Sequence, residues 1–170
     1  MRIRTIRLFF VNKVLNFLPE TRFYTFKRRL LRLSGINVGT NVRICSSVHI
    51  IGSGQLSIGN DTFIGPQTFI HVSSNIIIGS HCDISSNVRI LNGSHEIDLI
   101  GNHIAGKGKS EDVYIGNGSW VCTNATILGS SNIGNKCLVA ASSTTKGKYP
   151  ENTIIKGCIA KSFPFTKSCS

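Results

Sequence analysis

His95 is the side chain best placed in this sequence to do chemistry. It stands directly before EIDLIGNHIAGKGKSED (96–112), a run with three glycines and a cluster of Lys, Ser, Glu and Asp. Imidazole is the side chain that titrates nearest neutrality, so an outward His beside such a segment is a candidate general base toward a hydroxyl or an amine. Asn75 lies one 20-residue repeat earlier, which is expected to bring its side chain near the imidazole. His49, His71, His81 and His103 fall at scattered positions. A zinc site would need three histidines converging between chains with one position open for water. His71 and His95 could supply two of them, but no tight ligand spacing is present and no metal is expected. Cys45, Cys82, Cys122, Cys137, Cys158 and Cys169 show neither C-x-x-C nor zinc spacing. They read as free thiols of a reducing compartment, and none falls beside His95 as a nucleophile.

The element that must hold His95 is set by a period of six. Val38, Ile44 and Ile50 are followed by Ile58, Ile64 and Ile70, then by Ile78, Ile84 and Ile90. The register breaks over 96–112 and resumes at Ile115, Val121, Ile127, Ile133 and Val139. Neither a helix, with period 3.6, nor an alternating strand, with period 2, gives a spacing of six. A triangular coil does, with one short strand per side and one inward apolar residue on each. The reading is an all-β, parallel β-helix with coils at 38–55, 58–75, 78–95, 115–132 and 133–150, and with 96–112 leaving it as a loop. Loops ejected from a solenoid usually carry function rather than packing. After Pro150 the tail is expected to leave the repeat. Seventeen glycines, and asparagines such as Asn41, Asn60, Asn87, Asn117 and Asn135, suit corners that need left-handed backbone.

The formal charge of +11 is concentrated at one end. Residues 1–33 hold nine Lys or Arg against Glu20 alone, a net +8. The remainder is only mildly basic, which argues against nucleic acid as the partner. Two helices are expected in this segment. One places Ile6, Phe9, Phe10, Val14, Phe17 and Leu18 on a single face; the other, after Pro19, carries Phe23, Phe26, Leu30 and Leu33 and ends at Gly35. Two roles compete: a cap over the open first coil, or a peripheral anchor with basic groups on anionic headgroups. The short, interrupted apolar run at the start matches neither a signal peptide nor a spanning segment, so a cytoplasmic protein, possible at the inner membrane face, is expected.

The run IGNGSWVCTNATILGSSNIGNKCLVAASSTTKGKYPENTIIKGCIAKSF (115–163) resembles the C-terminal signature of the hexapeptide-repeat acyltransferases. Trp120, Gly129, Gly134, Ala141, Ser142, Ser143, Thr145, Lys146, Pro150, Gly157, Ala160 and Lys161 stand at matching places. IGSHCDISSNVRILNGSHEI (78–97) is similar to the stretch bearing the family's catalytic His, which maps onto His95. Within the family the likeness is to sugar, maltose and capsule or lipopolysaccharide O-acetyltransferases. The resemblance implies a left-handed β-helix, a homotrimer, an active site between subunits, and acetyl-CoA as co-substrate without a tightly bound cofactor. It places the pantetheine arm past Thr123, Ala141 and Ser142, the nucleotide phosphates near Lys146 and Lys161, and Trp120 at the acetyl end. Val139-Ala140-Ala141-Ser142-Ser143 replaces the usual VGAGS, and Gly65-Pro66-Gln67 stands where many sugar acetyltransferases carry an Asn, so the acceptor pocket is not copied from a relative.

The sequence therefore describes residues 1–35 as a basic helical segment, 36–163 as the acyltransferase β-helix and 164–170 as a tail. The expected reaction is acetyl transfer to a carbohydrate hydroxyl of a surface polysaccharide or its precursor. An amino-sugar nucleotide as N-acceptor and a non-catalytic scaffold are the alternatives. The threonines form no flat ladder of the ice-binding kind.

Overall fold

The computed structural model describes residues 2–157 and shows a left-handed parallel β-helix entered through two helices. Three sheets form the sides of the triangle. Sheet A stacks Asn37–Val38, Gln55–Ile58, Asn75–Ile78, Val113–Ile115, Asn132–Ile133 and Lys148–Tyr149. Sheet B stacks Arg43–Ile44, Phe63–Ile64, Asp83–Ile84, Trp120–Val121, Leu138–Val139 and Ile154–Ile155. Sheet C holds five strands: His49–Gly52, Phe69–Val72, Arg89–Leu91, Thr126–Leu128 and Thr144–Thr145.

The period of six is the mechanical origin of this shape. Ile44 pairs with Ile64 and Ile64 with Ile84, so one β-branched side chain from each side lies directly over its predecessor. These side chains are buried throughout, Ile64, Ile84, Ile90, Ile115 and Ile127 completely. Burying an Ile of this kind stabilises by about 1.5–3 kcal/mol relative to leaving it in water. The glycine after each sheet A isoleucine is dictated by the stacking: a Cβ at Gly59 would run into the backbone nitrogen of Ser80 in the next rung.

The corners use two devices. Between sheets A and B, residues Asn41, Asp61, His81, Lys136 and Asn152 stack with φ between 51° and 56°. Between sheets B and C the same left-handed position falls on Gln67, Asn87, Asn124 and Ser142. Asn60, Asn117 and Asn135 do not take this backbone, contrary to the expectation from sequence. Their side-chain carbonyls accept the N–H of Thr40, Ser80 and Asn117 respectively, one rung below, and so tie the rungs together along one edge. Inward hydroxyls are also satisfied within the stack: Thr62 donates to Gly79 O at 2.8 Å and Ser131 to Thr145 O at 3.0 Å.

The repeat runs further than its isoleucines suggest. Tyr149 stacks on Ile133, 16 residues later (149 − 133), and Ile155 stacks on Val139. A sixth, partial turn therefore follows where the sequence reading ended the coils at Pro150.

Helices α1 (Thr5–Asn16) and α2 (Tyr24–Leu33) close the first rung. The face of α1 that packs is Leu8, Val11, Asn12 and Leu15, with Ile3 before it and Leu31 of α2 beside it. Of the apolar face singled out in the sequence, Ile6, Phe9, Phe10 and Phe17 turn outward, 56–89% exposed, and do not form the cap. Lys27, one of the nine basic residues of this segment, is buried. Its Nζ donates to Pro19 O, Glu20 O and Ile44 O at 2.9, 2.7 and 3.2 Å, pinning the interhelical link to the first rung. Among the described residues no helix is long and apolar enough to cross a membrane.

Candidate active site

The segment after sheet C of the third rung leaves the coil as a hairpin rather than as an irregular loop. Gly93–Ile97 pairs antiparallel with Ala105–Ser110, placing Gly93 opposite Ser110, Ser94 opposite Lys109 and His95 opposite Gly108. The pairing is irregular between His95 and Ile97. At the tip, Asp98 Oδ1 accepts the N–H of Gly101 and of Ile100 at 2.8 and 2.9 Å. These two N–H groups, Gly101 first, hold the Asp98 carboxyl below its usual pKa.

His95 is exposed on this hairpin, and the residue across from it has no side chain to cover the ring. It shares a cleft of about 430 Å³ with His71, Ser73, Ser94, Lys109 and Ser110. His71 Nε2 lies 3.4 Å from Ser73 Oγ. Ser73 and Ser110 also border a second hollow of about 340 Å³, walled further by Arg2, Ser53, Gln55, Ser74 and Asn75. The two hollows are neighbours through Ser73 and Ser110, and serines recur in both walls.

Asn75 lies in this second hollow and not in the lining of the His95 cleft. The step from the third to the fourth rung is 37 residues (115 − 78), so the residue stacked on Asn75 is Asp112 and not His95. Asp112 accepts from the Asn75 backbone and side-chain amides, each at 2.9 Å. The Asn75 side chain, then its backbone N–H, hold the Asp112 carboxyl below the ordinary 3.8. This clamp closes the gap left where the hairpin departs.

The residues mapped to the cofactor fall in two places. Thr123 and Ala141-Ser142 stack at the corner between sheets B and C, with Ser142 N–H donating to Thr123 O at 3.0 Å. Trp120 is half exposed on sheet B, and its indole N–H donates to Ser85 Oγ at 3.1 Å. Lys146 is exposed at the far end of sheet C, in a crevice of about 80 Å³ shared with Ser94 and Glu111. Lys161 lies outside the described residues. Sheet C thus separates the corner of Thr123 and Ser142 from the edge that bears His95.

Among the described residues no thiol stands out as a competing nucleophile. Cys45 and Cys82 are buried and Cys122 is half-buried; desolvation raises the pKa of all three. Among the described residues no three His, Cys, Asp or Glu side chains cluster as metal ligands.

No protein-family profile matches the chain. It is 29% identical over 134 residues, 79% of its length, to the putative colanic acid biosynthesis acetyltransferase WcaF of Escherichia coli K12, of which it covers 71%. It is 33% identical over 121 residues to the putative lipopolysaccharide biosynthesis O-acetyl transferase WbbJ of the same organism, spanning 71% of this chain and 56% of that protein. The crystal structure of the hexapeptide-repeat acetyltransferase VCA0836 of Vibrio cholerae, complexed with acetyl coenzyme A, superposes with a TM-score of 0.69 at 19% identity. That match covers 88% of this chain and 80% of the other. The chain is similar in sequence to these acetyltransferases and shares the β-helix fold of the Vibrio protein.

In this chain the residue that positions the hairpin escaped sequence reading. Asn92, 1% exposed at the neck, receives Ser73 N–H on Oδ1 at 2.7 Å and donates through Nδ2 to Ser74 Oγ and Asn75 O at 2.9 and 3.2 Å. Its own carbonyl accepts Glu111 N–H at 3.0 Å, where the chain rejoins the coil. Its position two residues after an inward isoleucine was the available signal, but nothing local distinguishes it from a corner asparagine. Asn92→Ala strips the part-buried Ser73 N–H and Asn75 carbonyl of their side-chain partner, at about 0.5–1.5 kcal/mol per hydrogen bond. Thermal denaturation is expected to show that loss, and kcat to fall further than stability alone explains because the hairpin carries His95.

Proposed function

We propose that the protein transfers an acetyl group from acetyl-CoA to a carbohydrate hydroxyl of a surface polysaccharide or its precursor, with His95 as the general base. The observation that carries the reading is an exposed imidazole on a hairpin, opening into neighbouring hollows walled by serines, Lys109 and Arg2. Such walls match a ligand whose surface is mostly hydroxyl. The two relatives named for colanic acid and lipopolysaccharide acetyl transfer support this acceptor class.

In the proposed step the acceptor oxygen attacks the thioester carbonyl carbon while His95 takes its proton. Backbone N–H groups of the adjoining coils steady the tetrahedral oxyanion. The carbon–sulfur bond then breaks, and the imidazolium returns the proton to the departing thiolate. An acetyl ester and free coenzyme A result. Asn75 acts through Asp112 to fix the edge beside the cleft rather than by touching the imidazole.

The separation of His95 from the Thr123 and Ser142 corner supports a site shared between copies. A thioester held at that corner, past Ala141, lies across sheet C from this chain's own His95, which favours an imidazole supplied by a neighbouring subunit. Trp120 then borders the acetyl group. The hairpin also exposes Ile97, Leu99, Ile100 and Ile104, at 51–99%, which suits burial against a second copy in a homotrimer.

The test is product analysis. Purified protein with acetyl-CoA and oligosaccharide acceptors is expected to release thiol and yield an alkali-labile acetyl ester. An alkali-stable amide on an amino sugar would move the reaction to the N-acyl class. Thiol release independent of any carbohydrate would count against both.

A further inference from the structure

We infer that the outer face of α1, with the adjoining rim of α2, is a docking surface for an anionic lipid bilayer. The inference rests on the proposed function only in what it adds, an acceptor presented at a lipid surface. α1 is apolar on two opposite faces, and the fold uses one of them. Leu8, Val11 and Leu15 cover the first rung, while Ile6, Phe10, Val14 and Phe17 follow at i, i+4, i+8 and i+11 on the other side, 41–89% exposed. Phe9 joins this face at 56%, and Phe26 and Leu33 of α2 are 46% and 62% exposed. Capping alone does not account for so many exposed aromatic side chains on a helix already packed by its other face.

Charge identifies the occupant. Lys27, Arg28 and Arg32 are consumed inside the cap, the arginines donating to Val42 O and Val38 O. Arg2, Arg4, Arg7, Lys13, Arg22 and Arg29 of the same segment remain exposed, with Lys13 against Phe9 of the aromatic face. Among the described residues no carboxylate lies within ion-pair distance of any of them. Glu20, the only acid of this segment, turns to the coil and accepts Ser47 N–H. Lys13 Nζ sits 5.6 Å from the Phe9 ring centroid, so its stem lies along the apolar surface with the ammonium at the edge. Phenylalanines flanked by unpaired cations match an acyl boundary beneath anionic headgroups, where each cation adds attraction. A groove of about 350 Å³ between α1 and sheet C, walled by Leu8, Phe9, Ile50 and Ile51, continues the apolar surface inward. Arg2, shortly before α1 in the chain, borders the hollow beside the His95 cleft. An acceptor held by its lipid in the same bilayer would meet the cleft from that side.

The test uses the full chain and vesicles of phosphatidylglycerol and phosphatidylcholine in equal parts, against pure phosphatidylcholine, by co-sedimentation without acetyl-CoA. Binding to the anionic vesicles is expected to be at least tenfold tighter and to weaken with salt. Phe10→Ser with Phe17→Ser, and separately Arg4→Gln with Lys13→Gln, should each lose binding tenfold or more while keeping the wild-type melting temperature and acetyl transfer to a soluble acceptor. Absent vesicle binding, or equal binding by all variants, overturns the inference. So does a wild-type oligomer that falls apart in the Phe10→Ser, Phe17→Ser variant, because a second copy would then be the occupant. Vesicle binding needs neither acetyl-CoA nor acceptor, so its failure and a failure of acetyl transfer are separately visible.

Discussion

His95→Ala is expected to lower kcat for acetyl transfer by about 10²–10⁴-fold, the usual contribution of a positioned general base. KM for acetyl-CoA should change little, because the imidazole is assigned to the acceptor proton and not to the nucleotide. The fold should be untouched: the ring is exposed, and it makes no side-chain hydrogen bond among the described residues. Steady-state kinetics and a melting curve on the same preparation separate these outcomes. His71 provides the control. It shares the cleft but is half-buried against Ser73, so His71→Ala should cost less. A His95→Ala enzyme with wild-type kcat would remove this residue from the reaction.

Lys27→Met is expected to be the most destabilising exchange in the cap. It keeps the length and apolar stem of the side chain but strips Pro19 O, Glu20 O and Ile44 O of their shared donor. Hydrogen bonds to a charged group contribute about 1.5–3 kcal/mol each, and loss of all three should exceed any single value in that range. The melting temperature should fall, and the aromatic face of α1 should lose its fixed relation to the first rung. A pH signature accompanies this. Burial lowers the Lys27 pKa from its ordinary 10.5, with Cys45 and Glu20 opposing. Just below 10.5 the unfolded chain therefore binds more protons than the folded one, and wild-type stability gains with rising pH in that window. The Met variant should lack that component, which chemical denaturation at several alkaline pH values would show as a difference between the two proteins.

The solenoid and Lys27 mark where the sequence is legible and where it is not. The inward isoleucines repeat every six residues, and no other regular structure asks for that spacing, so the β-helix and the departure of the hairpin were legible. The register could not be carried across the hairpin, because the number of residues it absorbs is visible only in the paired strands. Asn75 was therefore placed under His95 when Asp112 is the residue stacked on it. The sixth turn was missed because Tyr149 stands in an isoleucine position at a shortened step. Both faces of α1 are apolar, so composition alone could not choose the one that packs. Lys27 and Asn92 look like surface residues by type; only their convergence on backbone groups from distant rungs takes them inside.

The most direct test is a structure with coenzyme A bound. The expected result is an extended cofactor along the Thr123 and Ser142 corner of one subunit, with its thiol sulfur within reach of a neighbouring subunit's His95, roughly 3–4 Å from the position of a reacting acceptor oxygen. Coenzyme A bound with its thiol remote from every His95 would contradict the account.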